Sequence, residues 1–160
     1  MKILGIDPGY GILGWSVIDS ALRNPLYGTV QTPADDRIDM RLAKIYAAVV
    51  AIIDEHKPNT AAIEKLFFSR NTTTALDVAK TMGVVLLAFA TSGLEYSEYA
   101  PVQIKKAVTG YGKANKGQMQ TMISRIFGLA EPPQPDDAAD ALAVAACHAF
   151  SMSGSIRVII

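Results

Sequence analysis

The segment KILGIDPG, residues 2–9, is an apolar run that stops on a carboxylate and then turns sharply. Ile3, Leu4 and Ile6 read as a short buried strand, Asp7 marks its end, and Pro8-Gly9 turn the chain. A charge at that point is either held by local hydrogen bonds or waits for a cation. Working outward, Trp15, Val17 and Ile18 make residues 12–19 a second strand, joined to the first as a hairpin. A third strand is expected near Tyr27–Val30, after the Asn24-Pro25 turn signal.

The pattern then changes period. Leu42, Ile45, Tyr46, Val49 and Ile53 recur at helical spacing, in a helix that ends before Lys57-Pro58-Asn59. Thr60–Glu64 is a short apolar run bounded by a turn and reads as a strand. A long helix is expected over 73–91, with Leu76, Ala79, Met82, Gly83, Leu86 and Ala90 on one face. Tyr96–Tyr99 reads as a last strand, Pro101 opens a short helix, and residues 116–127 and 137–150 read as helices. Three strands followed by α/β alternation imply a mixed sheet with helices on its faces.

Composition sets the outer bounds. The chain has 160 residues, half of them hydrophobic, which suits one domain with a sizeable core. Lys+Arg and Asp+Glu balance at 15 each, so net charge does not announce a polyanionic partner. The one cysteine, Cys147, excludes an internal disulfide and reads as a small packing residue. No basic-then-apolar leader is visible, and the longest apolar run, Met82 to Ala90, falls far short of the roughly 20 residues that span a bilayer. A cytoplasmic protein is the expectation.

Acids stand at chemically telling points. Asp7 and Glu64 each close a strand, and in open α/β sheets ligands gather beyond strand carboxyl ends. Asp137 and Asp140, in PDDAADALA, lie three apart and so share a helix face. Four carboxylates from two strands and one helix suit a pair of Mg²⁺ ions, which at about 4 Å separation clamp both oxygens of a phosphodiester displacement. The plainer alternative is that acids in a first helical turn complement the helix dipole, with Asp136 after Pro135 as the N-cap, and that Asp7 is a turn residue. Glu64 resists that reading, because glutamate is depleted in strands.

Charge is segregated. No acid lies between Glu98 and Glu131, where Lys105, Lys106, Lys113, Lys116 and Arg125 offer either a phosphate-binding surface or a solvated face. Phe67 and Phe68 follow the Glu64 strand end, with Arg70 close behind, and suit stacking on unpaired bases or packing in the core. His56 and His148 lack metal-ligand spacing and read as structural. No Walker A pattern and no second Gly-rich loop support a nucleotide-kinase site.

Together ILGIDPG (3–9), AIEKLFF (62–68), QIKKAVTGYGKANKGQ (103–118) and DAADALAVA (137–145) closely resemble the RuvC family of Holliday-junction resolvases, in order and spacing, over about residues 2–150. The resemblance implies an RNase H-like α/β fold, a mixed five-stranded sheet flanked by helices, in a single nuclease domain over 1–152 with a short tail at 153–160. It implies a homodimeric endodeoxyribonuclease that uses Mg²⁺, two ions per protomer, with Mn²⁺ as a substitute. By motif position Asp7, Glu64, Asp137 and Asp140 are the expected metal ligands and catalytic carboxylates. Lys105 and Lys116 fall where the family carries lysines near the scissile phosphate, and Phe67 where an aromatic contacts bases at the junction. Phe68, Arg70, Lys106 and Lys113 complete the expected DNA-binding set. The helix at 73–91 resembles the family's dimer helix, and RuvA and RuvB are the implied partners. Alternatives are a related RNase H-like nuclease acting on structured RNA, or a non-catalytic junction-binding protein.

Overall fold

The computed structural model describes residues 1–66 and 72–154. Strands β1 (Lys2–Asp7), β2 (Ile12–Asp19) and β3 (Leu26–Gln31) come first, followed by helix α1 (Ile38–His56), strand β4 (Thr60–Glu64) and helix α2 (Thr72–Thr91). Strand β5 (Tyr96–Tyr99) and helices α3 (Pro101–Thr109), α4 (Lys116–Phe127) and α5 (Asp136–Met152) complete the elements among the described residues. The sheet order is β3-β2-β1-β4-β5. The β1–β2 and β2–β3 pairs are antiparallel, whereas β4 runs parallel to β1 and to β5. This is the mixed five-stranded α/β sheet expected from three hairpin-linked strands followed by alternation.

The central strands β1, β2 and β4 are buried on both faces, so the pleat sorts their side chains between two cores. Leu4, Ile6, Ala61 and Ile63 pack with α1 and α2. Ile3, Ile18 and Ala62 pack on the opposite side with α3, α4 and α5. Side chains alternate along a strand, so Asp7, in step with Ile3 and Gly5, points to the α5 side. Glu64, in step with Ala62, does the same.

Helix α5 lies unusually close to the sheet because small residues meet at the contact. Ala138, Ala141, Ala145 and Ala149 are buried on the helix. A Cβ built on Gly5 would stand 2.4 Å from the Ala141 carbonyl oxygen, and one on Gly14 would stand 1.9 Å from that of Asp137. Ser16 Oγ donates to the Ala141 carbonyl at 2.9 Å, fixing the helix against β2. His148, buried near the other end of α5, meets the Tyr99 hydroxyl at 2.8 Å and Thr60 Oγ1 at 3.3 Å. That bracket ties α5 to β4 and β5, in keeping with a structural role.

The face of α2 turned to the sheet carries Ala75, Thr81, Val85, Ala88 and Phe89, whereas Leu76, Gly83 and Ala90, on the apolar face read from the sequence, are exposed. This helix is apolar nearly all round, so periodicity alone does not say which stripe meets the sheet. At α5 the N-cap is Pro135 rather than Asp136, which is the first helical residue. The Asp136 carboxylate is engaged elsewhere, as described below.

Candidate active site

Strands β1 and β4 are hydrogen-bonded neighbours with Ile6 opposite Ile63, so Asp7 and Glu64 leave the sheet side by side at its carboxyl end. Parallel neighbours carrying two acids at the same level force the carboxyls together. Burial pushes the Asp7 carboxyl well above the usual range, and the charges of Glu64, Asp140 and Asp137 push it further. Glu64 is also raised, first by burial and then by Asp140, against the opposing pull of Lys105. The closeness of the two carboxyls raises Asp7 further and lowers Glu64 in return.

Asp137 and Asp140 arrive from above, on the first turns of α5. Asp140 is raised by burial, with Lys116 pulling it down and Asp137 pushing it up. Four acids from residues 7, 64, 137 and 140 therefore feel one another's charge. Glu64 joins two adjoining hollows. One, of about 260 Å³, is lined by Glu64 and Asp140 together with Lys105 and Lys116. The other, of about 220 Å³, is lined by Asp7, Pro8, Glu64 and Lys65 among others. Asp137 lines neither hollow; its backbone rests on Gly14 and its charge acts on Asp7 and Asp140.

Among the described residues, no three acid, histidine or cysteine side chains are already gathered into a metal cage. The donor chemistry nonetheless fits a hard divalent cation. All four candidate ligands are carboxylates, and Asp7, Glu64 and Asp140 are raised first by burial and then by neighbouring acid charge, with Lys105 and Lys116 opposing the rise at Glu64 and Asp140.

The two basic residues expected near a scissile phosphate are in place: Lys105 on α3 and Lys116 on α4 share the hollow with Glu64 and Asp140. Lys106 and Lys113 are exposed and line neither hollow. Phe67, Phe68 and Arg70 lie outside the described residues.

Two residues were missed in the sequence. Asp136 forms an ion pair with Lys116 and accepts from Gln120 Nε2 at 2.7 Å; the lysine holds its carboxyl below the usual range. Arg41 of α1, buried with no acid partner among the described residues, donates to the Tyr10 carbonyl at 3.2 Å and to Thr32 Oγ1 at 3.0 Å, with its guanidinium 3.7 Å above the Tyr10 ring. It braces the turn that follows Asp7. Its position on the packed face of α1 was the available signal, since an arginine there must bring its own acceptors.

Comparison with known proteins places this arrangement in context. The family model described as crossover junction endodeoxyribonuclease RuvC matches residues 3–148. The crossover junction endodeoxyribonuclease RuvC of Desulfitobacterium hafniense is 49% identical over 156 residues, covering 96% of this chain and 94% of that protein. The Syntrophomonas wolfei protein of the same name is 46% identical over 154 residues, covering 94% and 90%. Among solved structures, T. thermophilus RuvC in complex with Holliday junction substrate superimposes with a TM-score of 0.90 at 35% identity, covering 97% of this chain and 96% of that one.

Proposed function

The chain belongs to the RuvC family of crossover junction endodeoxyribonucleases, and on that premise we propose that it resolves four-way DNA junctions by hydrolysing two phosphodiesters through Asp7, Glu64, Asp137 and Asp140. The observation that carries the assignment of these residues is the shared direction of Asp7 and Glu64. They stand at the ends of adjacent parallel strands and point to the face on which α5 begins. The family's metal dependence fits this all-oxygen set, and we assign it to two Mg²⁺ ions, with Mn²⁺ as a substitute.

Divalent cations, when bound, supply Lewis-acid activation of water and charge for the departing 3′ oxygen. The chain's own residues do the rest. Asp7, raised by burial and neighbouring acid charge, would have to lose its proton to hold a cation, so loading should strengthen as pH rises. Lys105 and Lys116, lining the same hollow as Glu64 and Asp140, offset charge that develops on the phosphate. Buried apolar strands hold the acids rigidly, so little reorganisation accompanies the reaction. Products carry 5′-phosphate and 3′-hydroxyl ends.

A junction needs two cuts, and a two-fold dimer presents two sites. The exposed stripe of α2, which includes Leu76, Gly83 and Leu87, supports a homodimer formed along that helix. Phe67, Phe68 and Arg70, which follow β4 in sequence, are assigned to bases and backbone near the junction centre, with Lys106 and Lys113 on the outlying phosphates. RuvA and RuvB are the expected partners. A cytoplasmic location is proposed on family grounds, and no described helix is long and apolar enough to cross a membrane.

The test is a labelled mobile four-way junction titrated with Mg²⁺, with cut positions mapped on all four arms. Paired symmetric nicks that vanish with EDTA are expected. Cleavage of structured RNA in preference to the junction, or junction binding without metal-dependent cutting, overturns the reading.

A further inference from the structure

Asp136 adjoins the four acids in sequence but is engaged differently in space. It lines neither acid hollow. Its carboxylate instead takes Lys116 Nζ through one oxygen and Gln120 Nε2, at 2.7 Å, through the other. Lys116 opens α4 and Gln120 lies one turn further along it, so the first residue of α5 grips one edge of the start of α4.

Lys116 needs such a partner. A helix begins with its positive dipole end, which repels an ammonium. The first turn of α4 contains no acid to offset this. Without Asp136, the ammonium is pushed outward into water. With the pair formed, Lys116 still lines the hollow that holds Glu64, Asp140 and Lys105. The two side chains are 58% and 40% exposed, and ion pairs that accessible add little to stability. The effect of this one therefore lies in where the ammonium is held.

We infer that Asp136 is a positioning residue, which, with Gln120, holds the Lys116 ammonium at the mouth of the acid hollow ready for the scissile phosphate. The inference deepens the proposed nuclease reading and rests on it. Asp136 acts only through Lys116.

Single-turnover cleavage of the four-way junction at saturating protein tests this, using Asp136→Asn, Lys116→Met, the double variant and Asp136→Glu. Asp136→Asn should slow the cutting step by between about 10- and 100-fold, the scale of misplacing one group. Junction affinity, measured in EDTA, should stay the same or tighten, because a negative charge facing DNA is gone. The double variant should be no slower than Lys116→Met alone, and Asp136→Glu should recover most of the rate. Gln120→Leu, which removes only the second bond, should give a smaller loss by the same route and stands in if Asp136→Asn fails to fold. An Asp136→Asn rate within twofold of wild type, or a full additional loss on top of Lys116→Met, overturns the inference. A wild-type protein that leaves the junction intact in Mg²⁺ instead sinks the nuclease reading itself.

Discussion

Gly14 lies directly opposite Asp7 across the β1–β2 ladder, and the backbone of Asp137 rests on it. One residue without a side chain thus sets the height at which α5 passes over the strand that carries the first acid. Gly14→Ala would place a methyl group 1.9 Å from the Asp137 carbonyl oxygen, against backbone that cannot swing aside. Lifting α5 should cost about 1–3 kcal/mol or more and carry Asp137 and Asp140 away from Asp7. A lower urea midpoint with cleavage lost more steeply than stability is expected, from denaturation curves beside junction cleavage at a temperature where both proteins are folded.

Asp7→Asn isolates charge from shape. The amide keeps the shape of the side chain and can donate to the neighbouring Glu64 carboxylate, so the fold should survive. Cleavage should fall by more than about 10²-fold, the scale on which losing electrostatic stabilisation of developing charge is felt. Junction binding in gel shifts should persist, since DNA is repelled by one charge fewer. Loss of binding together with a broadened melting transition would instead assign Asp7 to the fold.

The raised acids also fix the sign of a pH effect. Asp7 in the folded protein binds its proton more tightly than in the unfolded chain. Above the ordinary carboxylate range the folded state therefore holds more protons, and stability from this group falls as pH rises through that window. In EDTA, the Tm advantage of Asp7→Asn over wild type should grow from pH 5 to pH 8. Mg²⁺ should then raise the wild-type Tm more at the upper pH, because it binds only the folded, deprotonated site. A Tm difference that is flat with pH would mean that the acids do not crowd one another.

The outward stripe of α2 makes a separate claim about assembly. Leu87 is 54% exposed in the protomer, so Leu87→Glu costs the isolated fold little but puts a charge in an apolar helix pairing. Sedimentation should show monomers where the wild type gives dimers. Junctions should then be nicked on single strands, with paired cuts lost.

Much of this molecule was legible in its sequence because two periods alternate cleanly. Thr60–Glu64 is bounded by Pro58-Asn59 on one side and ends on an acid that a strand does not favour, so its limits were visible and its last residue stood out as a candidate. What was not legible has physical causes. Which stripe of α2 meets the sheet was not legible because its free stripe is equally apolar, and hydrophobicity cannot distinguish a sheet from a second partner. The close approach of α5 to β2 was invisible because Gly14 reads as one more strand residue until the helix is laid across it. The pairing of Asp136 with Lys116 joins residues twenty apart on different helices, which no local rule connects.

Residues 7, 64, 137 and 140 draw on the first strand, the middle of the chain and the last helix. By Leu129 every strand of the sheet is present, with Asp7 and Glu64 at its edge, yet half of the acid set is still missing. On the proposed reading, a polypeptide halted there would fold its platform and remain unable to cut.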